Sequence, residues 1–238
     1  LNGLLARLEA SLARERRLAD DAAHELRTPL AVLRLHAENA VSATTDGERR
    51  QALASLVRGV DRATRVVGQL LTLARLEPGD DAALRAPVPL NALVREELAE
   101  LAPMARRRGQ ELDFHADREF AVEGVATTLG ILVRNLVDNA LRYSPEGGLV
   151  RVLLRDAAPG TVELAVLDEG PGVPPEQAAR VFERFYRVDP GRGDGAGLGL
   201  AIVQRIVDAH GGRVVVRPRR GEAPGGFVVT LPEAGARA

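Results

Sequence analysis

From Leu1 to about Val41, apolar or small residues recur at alternating spacings of four and three, at Leu5, Leu8, Leu12, Ala19, Ala22, Leu26 and Leu33. That is a heptad seam, and it commits this part of the chain to a long helix with one narrow apolar face. A second stretch, from about Asp46 to Glu77, turns Leu53, Leu56, Val60, Val67, Leu70 and Ala74 one way. The segment from Ser42 to Gly47 supplies a turn, with Asp46 as the N-cap candidate. Two long helices joined in this way form an antiparallel hairpin whose single stripe is too narrow to be buried by one partner alone. Dimerisation into a four-helix bundle is the simplest remedy.

The heptad pattern stops at Glu77-Pro78-Gly79-Asp80-Asp81, with Pro87 and Pro89 further on. Such a run reads as an interdomain linker. Beyond it the pattern predicts helix over Leu90 to Arg107, a strand near Glu111 to His115, and helix over Val125 to Tyr143. Strands are expected at Val150 to Arg155 and Thr161 to Leu167, a helix over Leu198 to His210, and a closing hairpin of Arg213 to Arg217 with Gly226 to Leu231. This order predicts an α+β sandwich with helices on one face of a mixed sheet. The domain limits that follow are a lead-in helix end over 1–14, a helical dimerisation domain over 15–77, a linker over 78–87, an α+β domain over 88–234 and a tail over 235–238.

Composition removes several function classes. A chain of 238 residues with 27% charged residues and a net charge of -1 offers no dedicated nucleic-acid surface. No stretch approaches the roughly 20 apolar residues of a spanning helix, so the piece is expected to be soluble. With no cysteine, thiol nucleophiles and thiolate metal sites are impossible. Every basic residue other than histidine is arginine, and without lysine neither a P-loop nor a eukaryotic-type protein kinase site can be built.

With Leu5, Leu12, Ala19, Leu26 and Leu33 at the a positions, His24 falls at f, the most outward place on the helix. Arg27 and Thr28 share its face. Pro29 has no N–H to give the carbonyl of Glu25 and its ring crowds that carbonyl, so the helix is expected to bend beside the histidine. An exposed imidazole with a pKa of about 6.5 is mostly neutral at pH 7 and keeps one ring nitrogen free to attack an electrophile. Glu25 offers a carboxylate for the proton on the other nitrogen, although sequence neighbours on a helix diverge by roughly 100°. A zinc-protease reading fails because Thr28 stands where the second histidine of H-E-x-x-H belongs. His36 falls on the seam side, where a structural role is expected.

In the second half, Asn135, Asn139 and Tyr143 are spaced i, i+4, i+8 on one helix face, while Leu129, Leu132, Val133 and Leu136 mark the core side. A neutral amide oxygen on this face suits Mg²⁺ beside a triphosphate, where the ion keeps several waters. The strand ending at Leu167 leads into Asp168-Glu169-Gly170-Pro171-Gly172. A carboxylate there can accept a hydrogen bond from the exocyclic amine of adenine, and the glycines let the ring approach the backbone. Gly195-Ala196-Gly197-Leu198-Gly199-Leu200 opens a helix, so backbone N–H groups and the helix dipole face an anion. Between the glycine motifs, Phe182, Arg184, Phe185 and Arg187 lead into a glycine-rich stretch with Arg192, which reads as a lid on aromatic anchors with guanidiniums for phosphate. Taken singly, each pattern equally suits a turn, a solvated face or a surface loop.

Together these residues resemble a bacterial sensor histidine kinase, over nearly the whole chain from Asp20 to Leu231. His24 to Leu30 is similar to that family's phospho-acceptor box, Asn135 to Tyr143 to its N box, and Asp168 to Gly172 to its first glycine box. Phe182 to Phe185 is similar to the F box and Gly195 to Gly199 to the second glycine box. The resemblance implies a gyrase- and MutL-type ATP-binding domain joined to a dimerising phosphotransfer hairpin. It implies that His24 takes the γ-phosphate of ATP with Glu25 as base, and that the phosphoryl group passes to an aspartate of a response regulator. Thr28 matches the position that orients water for dephosphorylating the regulator. Asn139 would bind Mg²⁺ with Asn135 in support, and Asp168 would read adenine. Arg142 stands where the N box commonly has lysine, which changes the shape of the charge available to phosphate. The first dozen residues resemble the end of a membrane-proximal signalling helix, so the chain is expected to be the cytoplasmic portion of an inner-membrane receptor. A gyrase- or MutL-like ATPase that closes a dimer without phosphorylating itself is the competing reading, and a non-catalytic scaffold is a third.

Overall fold

The computed structural model describes residues 26, 29–75, 85–189, 196–219, 221 and 223–235. The chain divides into two compact units, Leu1–Thr72 and Leu73–Ala238. His24, Glu25 and Thr28, together with Arg192 and Gly195, lie outside the described residues.

Residues 29–42 form helix α1, and Asp46–Arg75 forms α2. Along α1 the heptad register holds: Leu26, Pro29, Leu33 and His36 are half-buried and Ala40 is buried. Gly59 of α2 makes room for Leu33 of α1, because a Cβ there would lie 2.7 Å from the Leu33 side chain. Asp46 is not the cap of α2. Thr45 is: its Oγ1 accepts the Glu48 N–H at 3.2 Å, while the Glu48 carboxylate accepts the N–H groups of Thr44 and Thr45 at 3.1 Å each. This reciprocal capping box holds the Glu48 carboxyl below its ordinary range.

The seam of α2 also differs from the expected one. Ala52, Leu56, Gly59, Ala63, Val66 and Leu70 are half-buried or buried, at spacings of four and three. Leu53, Val60 and Val67, expected to face inward, are exposed and align instead with Val57 and Leu71 as a second apolar stripe one residue away. Two parallel heptads offset by one residue run along α2, and the expected face straddled both.

The second unit follows the expected order closely. Helices α3 (Leu90–Arg107), α4 (Ala126–Tyr143) and α5 (Gly199–Ala209) accompany strands β2 (Glu111–Ala116), β4 (Leu149–Asp156), β5 (Thr161–Asp168), β6 (Arg213–Arg217) and β7 (Gly225–Pro232). These strands make one mixed sheet in the order β2-β4-β5-β7-β6, with only β2 and β4 parallel. A helical hairpin is therefore followed by an α+β domain. The strands β1 (Ala86–Pro89) and β3 (Ala121–Gly124) were not anticipated; they pair antiparallel in a small separate sheet. Pro87 and Pro89 obscured β1, yet a two-stranded sheet has free edges on which proline is tolerated.

The core lies between the helices and one sheet face. Leu129, Leu132, Val133 and Leu136 of α4 are fully buried, as the spacing predicts, against Val150, Val152 and Leu154 of β4 and Val162, Leu164 and Val166 of β5. Ile202, Val203 and Ile206 of α5 complete it. Among the described residues no helix is long and apolar enough to cross a membrane.

Thr45→Ala should remove one half of the capping box and cost the helical unit about 1 kcal/mol. Urea titration followed by helical circular dichroism checks this, and Asp46→Ala should cost clearly less.

Candidate functional site

The end of β5 puts a carboxylate where an apolar side chain would sit. Asp168 is only 7% exposed, and it lies between the sheet and the C-terminal end of α4. Its Oδ1 accepts the Gly170 N–H at 2.8 Å, whereas Oδ2 has no hydrogen-bond partner among the described residues. Burial pushes the carboxyl up to about 6, against the pull of the Gly170 N–H and of the Arg219 charge.

The loop after Asp168 is held by its neighbours. A Cβ on Gly170 would lie 2.9 Å from the Tyr143 carbonyl oxygen and 2.5 Å from the Asp168 carboxylate, so only glycine lets the loop lie this close to the helix end. The Glu169 N–H donates to Ser144 Oγ at 3.3 Å, and the Glu169 carboxylate accepts the Leu149 N–H at 3.1 Å. Gly172 has φ +74°, a conformation that favours glycine.

On α4, Asn135 and Asn139 are half-buried on the flank away from the core. The Asn135 amide donates to the Ile131 carbonyl at 2.7 Å, which fixes its side chain along the helix. Arg142 is paired with Asp138 one turn back, Nε to Oδ2 at 2.7 Å. This pair gives the arginine a partner within its own helix rather than leaving it aimed at a ligand.

At the other glycine motif, Leu198 is fully buried and anchors the start of α5, and its own side chain does not cap that helix. The first-turn N–H groups of a helix have no intrahelical partners and favour an anion, and Gly199 and Leu200 are half-buried at this one. Gly197, at φ +71°, accepts the Phe185 N–H through its carbonyl at 2.9 Å, and a Cβ on it would lie 2.6 Å from the Phe185 backbone. Phe185 is the one non-glycine residue with positive φ among the described residues, at 62°. The two ends of the intervening segment are therefore pinned together at a strained residue. Phe182 packs edge-on against Phe227 of β7, with ring centroids 6.0 Å apart. Arg184 is exposed and Arg187 half-buried. Helices α4 and α5 pack against each other and so carry both clusters on one scaffold.

Sequence reasoning missed the residues that brace this site. Gln110 Nε2 donates to the carbonyls of Leu141, Ser144 and Pro145 at 3.0, 3.2 and 2.9 Å. Arg108 reaches Leu141 and Ser144 as well. At the opposite end of α4, His210 is buried, its Nδ1 2.8 Å from the Ile206 carbonyl and its Nε2 3.5 Å from the Val125 N–H. Neither Gln110 nor Arg108 lies in a periodic pattern or a glycine motif that would single it out, whereas His210 directly precedes Gly211 and Gly212.

Two families match this chain. The His Kinase A (phospho-acceptor) domain matches residues 14–79, and the histidine kinase-, DNA gyrase B- and HSP90-like ATPase matches residues 124–235. The sensor protein QseC of Escherichia coli strain K12 is 44% identical over 216 residues, covering 89% of this chain and 46% of that protein. The structure of a mycobacterial sensor histidine kinase, MprB, is 37% identical with a TM-score of 0.55, covering 63% of this chain and 97% of that one. Full-length ShkA in complex with AMPPNP is 32% identical with a TM-score of 0.67, covering 94% of this chain and 47% of that one. The chain spans about half the length of the curated relatives it matches.

Because the folded environment raises the Asp168 pKa from 3.8 to about 6, the ionised side chain opposes folding above that range and not below the lower value. Asp168→Asn should therefore stabilise the ligand-free protein, by little at pH values below 3.8 and by at most roughly 3 kcal/mol well above pH 6. Urea midpoints at pH 4.5 and 7.5 test this; a gain that does not grow with pH contradicts the assigned burial cost.

Proposed function

The chain belongs to the sensor histidine kinase family, and from that membership we propose that it binds ATP in its second unit and transfers the γ-phosphate to His24. The observation that carries this reading is the presence on one chain of a phospho-acceptor match that includes His24 and an ATPase match that includes the Asp168 and Gly197 clusters.

In this reading the Asp168 carboxylate accepts a hydrogen bond from the exocyclic amine of adenine through Oδ2, and Gly170 and Gly172 let the ring lie against the backbone. The phosphates run toward the start of α5, where Gly197, Leu198, Gly199 and Leu200 offer backbone N–H groups, and Gly195 of the same glycine motif is assigned to the phosphates from the sequence. Phe182 and Phe185 anchor the lid, and Arg184 and Arg187 approach the phosphate oxygens from it. Tyr143 and Asn135 frame the site on α4. The half-buried amide of Asn139 would hold Mg²⁺, which would supply positive charge against that of the phosphates. Arg142 holds Asp138 and serves the phosphates only by leaving that pair.

The imidazole of His24 attacks the γ-phosphorus as the bond to the β,γ-bridging oxygen breaks, and ADP leaves with that oxygen. Glu25 takes the proton from the other ring nitrogen. The phosphoryl group then moves to a carboxylate oxygen of an aspartate on a response regulator, and Thr28 orients the water that later removes it. The exposed stripe of Leu53, Val57, Val60, Val67 and Leu71 on α2, with Leu30, Leu35 and Val41 exposed on α1, supports pairing of two hairpins in a four-helix bundle.

Incubation with γ-labelled ATP and Mg²⁺ should label the chain with acid-labile phosphate, and His24→Gln should abolish it. Hydrolysis of ATP without any label would favour an ATPase of the gyrase type instead. Thr28→Ala should retain self-labelling while regulator dephosphorylation, followed by loss of aspartyl phosphate, falls by about 10²-fold.

A further inference from the structure

Arg219, in the connection between β6 and β7, lies outside every glycine, asparagine or aromatic motif described above. Its side chain nevertheless reaches the loop that carries Asp168. Nη1 donates to the carbonyl oxygens of Glu169 and Gly170, at 2.5 and 2.7 Å, and Nε donates to the Gly221 carbonyl at 3.2 Å. Two glycines make room for this approach. A Cβ on Gly172 would lie 3.2 Å from the Arg219 Cβ, and one on Gly225 would lie 3.1 Å from the Arg219 N.

Apart from the Gly170 N–H, which donates to Oδ1, the other groups around Asp168 bring no positive charge to it. Glu169 turns its carboxylate to the Leu149 N–H, Tyr143 of α4 presents a backbone carbonyl, and Arg142 is held by Asp138. From the sheet, the neighbours in register are Val150 of β4 and Gly225 of β7, which are uncharged. The guanidinium of Arg219 is thus the cation that acts on this carboxylate.

We infer that Arg219 is a positioning residue for nucleotide recognition: it clamps the Glu169 and Gly170 carbonyls and compensates the buried Asp168 charge, so that the carboxylate is preformed for the adenine amine. This rests on the reading of Asp168 as the adenine contact. A guanidinium suits the task because its fork can donate to two adjacent carbonyls at fixed geometry, which an ammonium on a flexible stem does less well. Burial and the loss of a nearby cation both favour the neutral acid. Removing Arg219 therefore raises the pH at which Asp168 ionises, and a neutral carboxyl is a weaker acceptor for an amine.

The test measures ADP affinity by calorimetry from pH 5 to 8.5 in the full chain, for the parent, Arg219→Met, Arg219→Lys and Asp168→Asn. The Asp168→Asn profile serves as the baseline that contains the nucleotide's own titration. Arg219→Met should bind ADP about tenfold more weakly at pH 7, with the Asp168-dependent rise in affinity shifted to higher pH. Arg219→Lys should bring that rise back toward the parent pH while recovering only part of the affinity. An Arg219→Met variant that matches the parent in affinity and in profile, while Asp168→Asn is impaired, overturns the role of Arg219. A lysine variant no different from methionine overturns the charge compensation. Affinity unaffected by Asp168→Asn overturns the adenine reading itself and the inference with it.

Discussion

Helix α4 ends, as every helix does, with carbonyls that its own turns cannot satisfy, and the second unit meets them with side chains from a distance in sequence. Gln110 donates to three carbonyls at that end and Arg108 to two. With the end fixed, the Tyr143 carbonyl becomes a wall, and Gly170 has to lie against it. The Ser144 hydroxyl then meets the next N–H of the same loop. The position of Asp168 follows from this chain of contacts: the central strand β5 delivers the carboxylate to its own C-terminal end, and the helix end decides how the following loop departs.

A carboxylate held this way works against the fold. Burial makes its ionised form unfavourable, and the Gly170 N–H and Arg219 offset only part of that. Apolar residues would pack the end of β5 without such a cost. What burial adds is a hydrogen-bond acceptor in a water-poor place, where an unmatched ligand leaves it unsatisfied and a matched amine does not. The strain at Phe185 has a similar logic. A non-glycine residue at φ 62° is held there by its N–H, which reaches the Gly197 carbonyl and ties the two motifs together.

The regular parts of the chain were legible because they repeat. The α4 face that carries Leu129, Leu132, Val133 and Leu136 is set by 3.6-residue spacing, and its boundaries followed from the breakers on either side. Legibility failed where two solutions share one spacing. On α2 the stripe through Leu56 and Leu70 and the stripe through Leu53, Val60 and Val67 are both heptads, and only the approach of Leu33 onto Gly59 separates them. It failed again where a local rule had two candidates: Thr45 and Asp46 are both good caps, and the choice was made by Glu48, three residues after the threonine.

Arg219 marks a deeper limit. Glycine motifs announce where a backbone must come close to something, but not what it comes close to. Gly172 and Gly225 have no periodic relation to residue 219; they meet it only because β5, β7 and β6 are neighbours in the sheet. A recognition loop can therefore have its most visible residues in one motif and its support in a connection of unremarkable composition. If Asp168 reads a ligand atom as proposed, the motif supplies the acceptor and the β6–β7 connection supplies its support.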